Sequence, residues 1–114
     1  MALHSELPIY KVTYDLTVLV KRLVSQFQRN YREHGKRLDD ECLGLVIQIY
    51  RANATRDKRA ALSELIERLQ VVELLLRLAR DLRLIPVSQF AAAIELTSKI
   101  GKQATGWRKA SPAV

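Results

Sequence analysis

The stretch LSELIERLQVVELLLRLARDL, residues 62–82, decides the fold. Leu62, Leu65, Ile66, Leu69, Val72, Leu76 and Ala79 recur at three- and four-residue intervals and make one stripe along a helix. Val71, Leu74, Leu75, Leu78 and Leu82 make a second stripe beside it. One apolar stripe is enough to bury a helix against a bundle, whereas two require burial on two sides. Either this helix lies deep in a core, or its second stripe meets another subunit. In a bundle of few helices the second option gains weight.

Outward from this segment the same spacing repeats. Ile9, Val12, Leu16, Leu19, Val20, Leu23 and Phe27 predict a helix over about residues 9–31, with a break at Gly35 and the Lys36–Arg37 pair. The acids Asp39 and Asp40 then open a second helix over about 38–53, carrying Cys42, Leu43, Val46, Ile47, Ile49 and Tyr50. Thr55 is the expected N-cap of the third helix, over about 56–84 and closed by Pro86. Ser88 is the expected cap of a fourth, over about 88–109, with Phe90, Ala93, Ile94, Leu96, Thr97, Ile100, Ala104 and Trp107 inward. Ala91, Ala92 and Gly101 give that helix a small-residue side. Residues 1–8 and 110–114 read as tails, and 9–109 as one domain. Connections of a few residues force neighbouring helices antiparallel, so the expectation is an all-α, up-down-up-down four-helix bundle.

Composition agrees with this reading. The 114 residues are 48% apolar and 27% charged, ordinary for a globular chain, and four Gly with three Pro leave little material for β-turns. Nineteen Lys and Arg against twelve Asp and Glu give a net charge of +7, which suits a polyanionic partner because neutralised phosphates release counterions. The plainer reading of the same excess is a solvated cationic surface that keeps the protein soluble. The single cysteine, Cys42, excludes an internal disulfide and a multi-cysteine zinc site, and its apolar neighbours predict a buried, inert thiol. Met1 to Pro8 lacks the features of a signal peptide, and no run approaches the ~20 apolar residues that span a bilayer. A cytoplasmic protein with no membrane partner is the expectation.

Catalytic patterns do not surface. There is no Gly-rich phosphate loop, no HExxH and no Glu-x-x-His pair of the kind that builds a di-iron site in a bundle. His4 and His34 read as solvated residues of a tail and a turn, and Glu64 with Arg68 as a surface ion pair at i,i+4. Neither a catalytic residue nor a cofactor or metal site is expected. The basic residues are the candidate site. Arg51, Arg56, Lys58 and Arg59 gather around the turn between helices two and three; Arg77 and Arg80 share a sector of helix three, with Arg83 a turn further on. Lys99, Lys102, Arg108 and Lys109 dominate helix four. Such a set would follow a phosphate backbone without reading bases. Tyr10 and Tyr14 share a helix face, for stacking or, more simply, for packing.

The order of short motifs carries a resemblance. Leu7-Pro8-Ile9-Tyr10-Lys11, Ile49-Tyr50-Arg51-Ala52-Asn53, Leu75-Leu76-Arg77-Leu78-Ala79-Arg80-Asp81-Leu82, and Ile100-Gly101-Lys102-Gln103 followed by Gly106-Trp107 occur in that sequence over about residues 7–109. Together they resemble the accessory variability determinant (Avd-like) family of diversity-generating retroelements, within the four-helix-bundle proteins first noticed in ribosomal RNA intervening sequences. The resemblance implies a homopentameric barrel of four-helix protomers with a basic surface. It also implies two partners, the reverse transcriptase of the same element and nucleic acid, in a complex that copies a template RNA with errors at adenines. Arg51, Arg77 with Arg80, and Lys102 are the basic positions that match. The alternative is a structural or interaction bundle of the wider group with no nucleic-acid role.

Overall fold

Four stripes of buried side chains, each stepping by three and four residues, meet along one axis. The computed structural model describes residues 3–114. Its helices are α1 (Pro8–Val24), α2 (Arg32–Ala54), α3 (Lys58–Asp81) and α4 (Val87–Ala110), with short 3-10 turns at His4–Glu6 and Arg29–Tyr31 and no strand among the described residues. The inward positions are Ile9, Thr13, Leu16, Val20 and Leu23 in α1, and Gly35, Leu38, Cys42, Leu45, Ile49 and Ala52 in α2. In α3 they are Leu62, Leu65, Leu69, Val72, Leu76 and Ala79, and in α4 Ala93, Thr97, Ile100 and Ala104. Steps of three and four average 3.5 residues, which keeps each seam turned toward its neighbours over the full helix length. α1 and α3 each pack against both α2 and α4, giving a packed bundle of 45 × 21 × 19 Å.

Polar rungs beside the seams hold the register. His34, Glu41 and Gln48 of α2 meet Leu75, Arg68 and Ala61 of α3, so numbers rise along one helix as they fall along the other. His34 Nε2 lies 3.0 Å from the Leu75 carbonyl, which can only accept, so the ring carries its proton on that nitrogen. Gln48 Nε2 donates to the Ala61 carbonyl at 2.9 Å and to Glu64 at 3.2 Å. Between α3 and α4, the Thr97 hydroxyl lies 3.0 Å from Glu73, Arg108 reaches Ser63, and Arg59 reaches Ser111. No buried side-chain nitrogen or oxygen among the described residues lacks a partner. Glu64 and Arg68 do not pair with each other as their spacing suggests: Arg68 turns to Glu41 at 3.5 Å, and Glu64 accepts from Gln48.

The boundary between the first two helices differs most from the sequence expectation. α1 stops at Val24, seven residues short of the predicted 31, and α2 starts at Arg32 rather than 38. Gly35 is therefore not a break but a buried position inside a helix. A Cβ there would lie 2.7 Å from Val24 Cγ1 and 3.0 Å from Phe27 Cδ2. Phe27 continues the apolar period of α1 yet sits in the connection, folded back over the first turn of α2. Only glycine lets the two segments approach so closely. Gly35→Ala should thus destabilise the fold by about 1–3 kcal/mol through overpacking, although alanine is the better helix former. Urea unfolding checks this; a gain of stability would show that the contact relaxes freely.

The helix ends show why other boundaries moved. Asp57, not Thr55, caps α3, because its carboxylate accepts from the Ala60 N–H at 3.3 Å, three residues on. Thr55 instead closes α2, its N–H donating to the Arg51 carbonyl. α3 ends at Asp81, before Pro86, in a Schellman turn: Leu84 N–H donates to Ala79 and Arg83 N–H to Arg80. Arg83 takes the left-handed position at φ 61°, where glycine is usual, so composition gave no sign of the cap. α4 starts directly after Pro86, and Ser88 lies within its first turn without capping it.

Each expected tail is packed in part where it is described, while residues 112–114 are exposed and without secondary structure. Pro8 is the first residue of α1, and His4 packs its ring edge-on to Tyr10 and Tyr50, 5.3 and 4.9 Å between centroids. Residues 1 and 2 of the expected tail lie outside the described residues. At the other end Ser111 is buried, its hydroxyl donating to the Trp107 carbonyl at 2.8 Å.

Candidate functional site

The bundle absorbs only part of the second stripe of α3: Val71 and Leu75 are half-buried, and Leu75 packs against the core. Leu74, Leu78 and Leu82 remain exposed, as does an unanticipated set on α1 and α2 formed by Tyr14, Leu43, Ile47 and Tyr50; all seven are 42–55% exposed. Cys42, Leu43, Val46, Ile47, Ile49 and Tyr50, the apolar residues expected on this helix, do not share one face. The 3.5-residue seam separates them, since Cys42, Leu45 and Ile49 point inward and Leu43, Ile47 and Tyr50 outward. Tyr10 and Tyr14 stack at 6.2 Å, continuing this face onto α1. A polar lane containing Arg37, Glu41, Arg68 and Glu64 runs between the two apolar sets along the α2–α3 seam.

The candidate basic residues divide into distinct groups. Lys58 caps α2: its ammonium donates to the carbonyls of Ala52, Asn53 and Thr55 at 3.0–3.1 Å, neutralising the negative end of that helix. Lys99 pairs with Glu95, and Arg80 pairs with Asp81 while stacking on the Phe90 ring at 4.4 Å. Arg51, Arg56, Arg59, Arg77, Arg83, Lys102, Arg108 and Lys109 make no ion pair among the described residues.

Three of these unpaired cations converge where the start of α3 meets the end of α4. Arg59, Arg108 and Lys109, with the hydroxyls of Ser63 and Thr105, line an open cavity of about 470 Å³. Arg59 Nε donates to the Ser111 carbonyl at 2.7 Å, and Arg108 Nη1 to the Ser63 hydroxyl at 3.2 Å. Both guanidinium groups are thus oriented by neutral oxygens rather than by carboxylates. Arg77 and Arg80 lie toward the other end of α3; eighteen residues separate Arg59 from Arg77, five helical turns or ~27 Å. The basic positions of α3 and α4 are therefore not one patch: they stand at the two ends of the pair, with Lys102 between them.

Among the described residues no cluster of three or more His, Cys, Asp or Glu side chains is placed to hold a metal ion. Cys42 is fully buried, and burial, reinforced by the nearby Asp39 and Glu41 carboxylates, pushes its thiol up to about 12. In the unfolded chain the thiol ionises near ~8.5, so above that pH the unfolded state holds fewer protons than the folded state. This term lowers stability by about 1.4 kcal/mol per pH unit as pH rises from about 9 toward 12. The stability difference between wild type and Cys42→Ala, followed by urea unfolding at pH 9, 10 and 11, should shrink by that slope. A pH-independent difference would mean that the thiol ionises freely in the fold.

The architecture is that of a cation-rich helical bundle with two unlike apolar faces. The bAvd-like family model matches residues 8–111, from the first residue of α1 to just beyond α4, and the chain belongs to that family. No curated protein and no solved structure matches it. No helix among the described residues is long and apolar enough to cross a membrane.

Proposed function

We propose that the chain is a non-catalytic accessory subunit of a diversity-generating retroelement. In this reading it binds the element's reverse transcriptase together with template RNA or cDNA, and supports mutagenic copying without performing it. The observation that carries the reading is the bAvd-like family match over almost the whole bundle, in a family of accessory helical bundles rather than catalysts. Support comes from the net charge of +7 and from the many cations left outside ion pairs.

The protomer is then an up-down-up-down bundle that assembles into a ring, five copies on the family's pattern. Two unlike apolar faces support this arrangement. Such faces pair head to tail, and a head-to-tail contact closes into a ring when its rotation allows. Arg51, Arg56, Arg59, Arg77, Arg83, Lys102, Arg108 and Lys109 then form the outward cationic surface, whereas Lys58, Lys99 and Arg80 have structural partners of their own.

Purified protein titrated with labelled single-stranded RNA and DNA tests the nucleic-acid part. With about six phosphates neutralised, affinity for a single strand should fall on the order of three-hundred-fold between about 50 and 200 mM salt. No binding at low salt would leave the alternative, an interaction bundle without a nucleic-acid role. Co-purification with the element's reverse transcriptase, lost when the two genes are expressed separately, tests the enzyme partner.

A further inference from the structure

We propose that the groove between α3 and α4 is the path of a single nucleic-acid strand, and that Arg59, Arg108 and Lys109 form the seat for one of its backbone phosphodiesters. This inference rests on the nucleic-acid reading above and names the surface that serves it.

The seat has the composition of an anion site. Three cations and two hydroxyls line it, and no carboxylate does. Its guanidinium groups are held by the Ser111 carbonyl and the Ser63 hydroxyl, so binding a phosphate breaks no ion pair and requires little ordering of long side chains. An exposed cation already satisfied by a carboxylate, as Lys11 is by Asp15, would have to surrender that partner first. Two planar donors whose orientation is preset match the oxygens of a phosphodiester better than flexible ammonium groups do.

The groove continues past the seat. Thr105 lines both the seat and an adjoining cavity of about 560 Å³ that also holds Lys102, Gly101 and Gly106. Glu73 is the carboxylate in that stretch, and it lies against the Thr97 hydroxyl. Small residues keep the floor open: a Cβ at Gly106 would meet nothing within 4 Å, and one at Gly101 only ordinary contact with Leu69. Five turns along the same face of α3 from Arg59 stands Arg77, unpaired and exposed, with Arg80 toward α4 over Phe90. Cations therefore mark both ends and the middle of one furrow. A furrow between two packed helices, with axes about 8–10 Å apart, is sized for one strand rather than for a duplex. Without an exposed aromatic along it, the contact reads backbone and not sequence.

The experiment compares two variants with the same change of three charges. Thr105→Glu with Lys109→Glu alters the seat at exposed positions that hold no helix in place. Arg29→Glu with Arg32→Gln alters exposed positions at the α1–α2 connection, away from the groove. Circular dichroism and light scattering verify that both remain folded and assembled as wild type. Affinity for a labelled single-stranded RNA at about 100 mM salt should fall at least about ten-fold for the seat variant and less than about three-fold for the control. The seat variant should also lose about one to two units of salt slope. Equal losses in both variants would overturn the groove while leaving general nucleic-acid binding intact. No binding by the wild-type protein at low salt would overturn both readings. Inorganic phosphate should displace the strand no better than chloride at equal ionic strength; displacement at micromolar phosphate would make the seat one for a small free anion and refute the strand path.

Discussion

Leu76→Ala lowers the free energy of unfolding by about 3 kcal/mol, within the ~2–5 kcal/mol range for emptying a leucine site in a close-packed core. Leu76 is fully buried, on the α3 seam between Val72 and Ala79. The cost has two parts: the lost transfer of three methyl-sized groups out of water, and a cavity that neighbouring helices cannot close without breaking their own packing. Rungs on both flanks, from His34 to Leu75 and from Thr97 to Glu73, resist that collapse. A small domain has only ~5–15 kcal/mol in total, so the effect is a large share of its stability. Urea unfolding followed by circular dichroism measures it. A loss under about 1 kcal/mol would mean that the seam is loosely packed.

Leu74→Glu combined with Leu78→Glu gives the opposite kind of result. It leaves the protomer folded and removes the association between copies proposed above. These two residues share a helix with Leu76 but face outward, at 51% and 42% exposed. Within a single chain, glutamates at exposed helical sites change stability by no more than about 0.5 kcal/mol each. At a contact between copies, however, each would bury a carboxylate without a partner, which a subunit interface of ordinary strength does not survive. Light scattering should report an assembly for the wild type and a 13.0 kDa protomer for the variant. A wild-type protein that is already monomeric at micromolar concentration would refute the assembly, and an undiminished variant would place the interface elsewhere.

The two stripes of residues 62–82 were legible before any coordinates, because helical periodicity is a local property. Leu62, Leu65, Leu69, Val72, Leu76 and Ala79 all lie where the spacing put them. Periodicity could not distinguish Phe27 as a further turn of α1 from Phe27 folded back onto Gly35, since both bury the same ring. Nor could composition reveal that Arg83 would take a left-handed cap, or that Lys58 would be spent on the end of α2.

The candidate site divides in the same way. Its charge sign and residue types could be read directly, because side-chain chemistry belongs to each residue. Which cations converge could not. Arg59 and Arg108 stand forty-nine positions apart in the chain, and only the α3–α4 register brings them to one cavity. By itself the sequence determined four amphipathic helices, an excess of positive charge and a surplus apolar stripe. The tertiary structure alone decided where those helices begin, which cations stay outside ion pairs, and that a second, unlike apolar face stands on α1 and α2. The physical reason is that pattern along a helix is set within a few turns, whereas convergence and exposure are set by which helices meet and in what register.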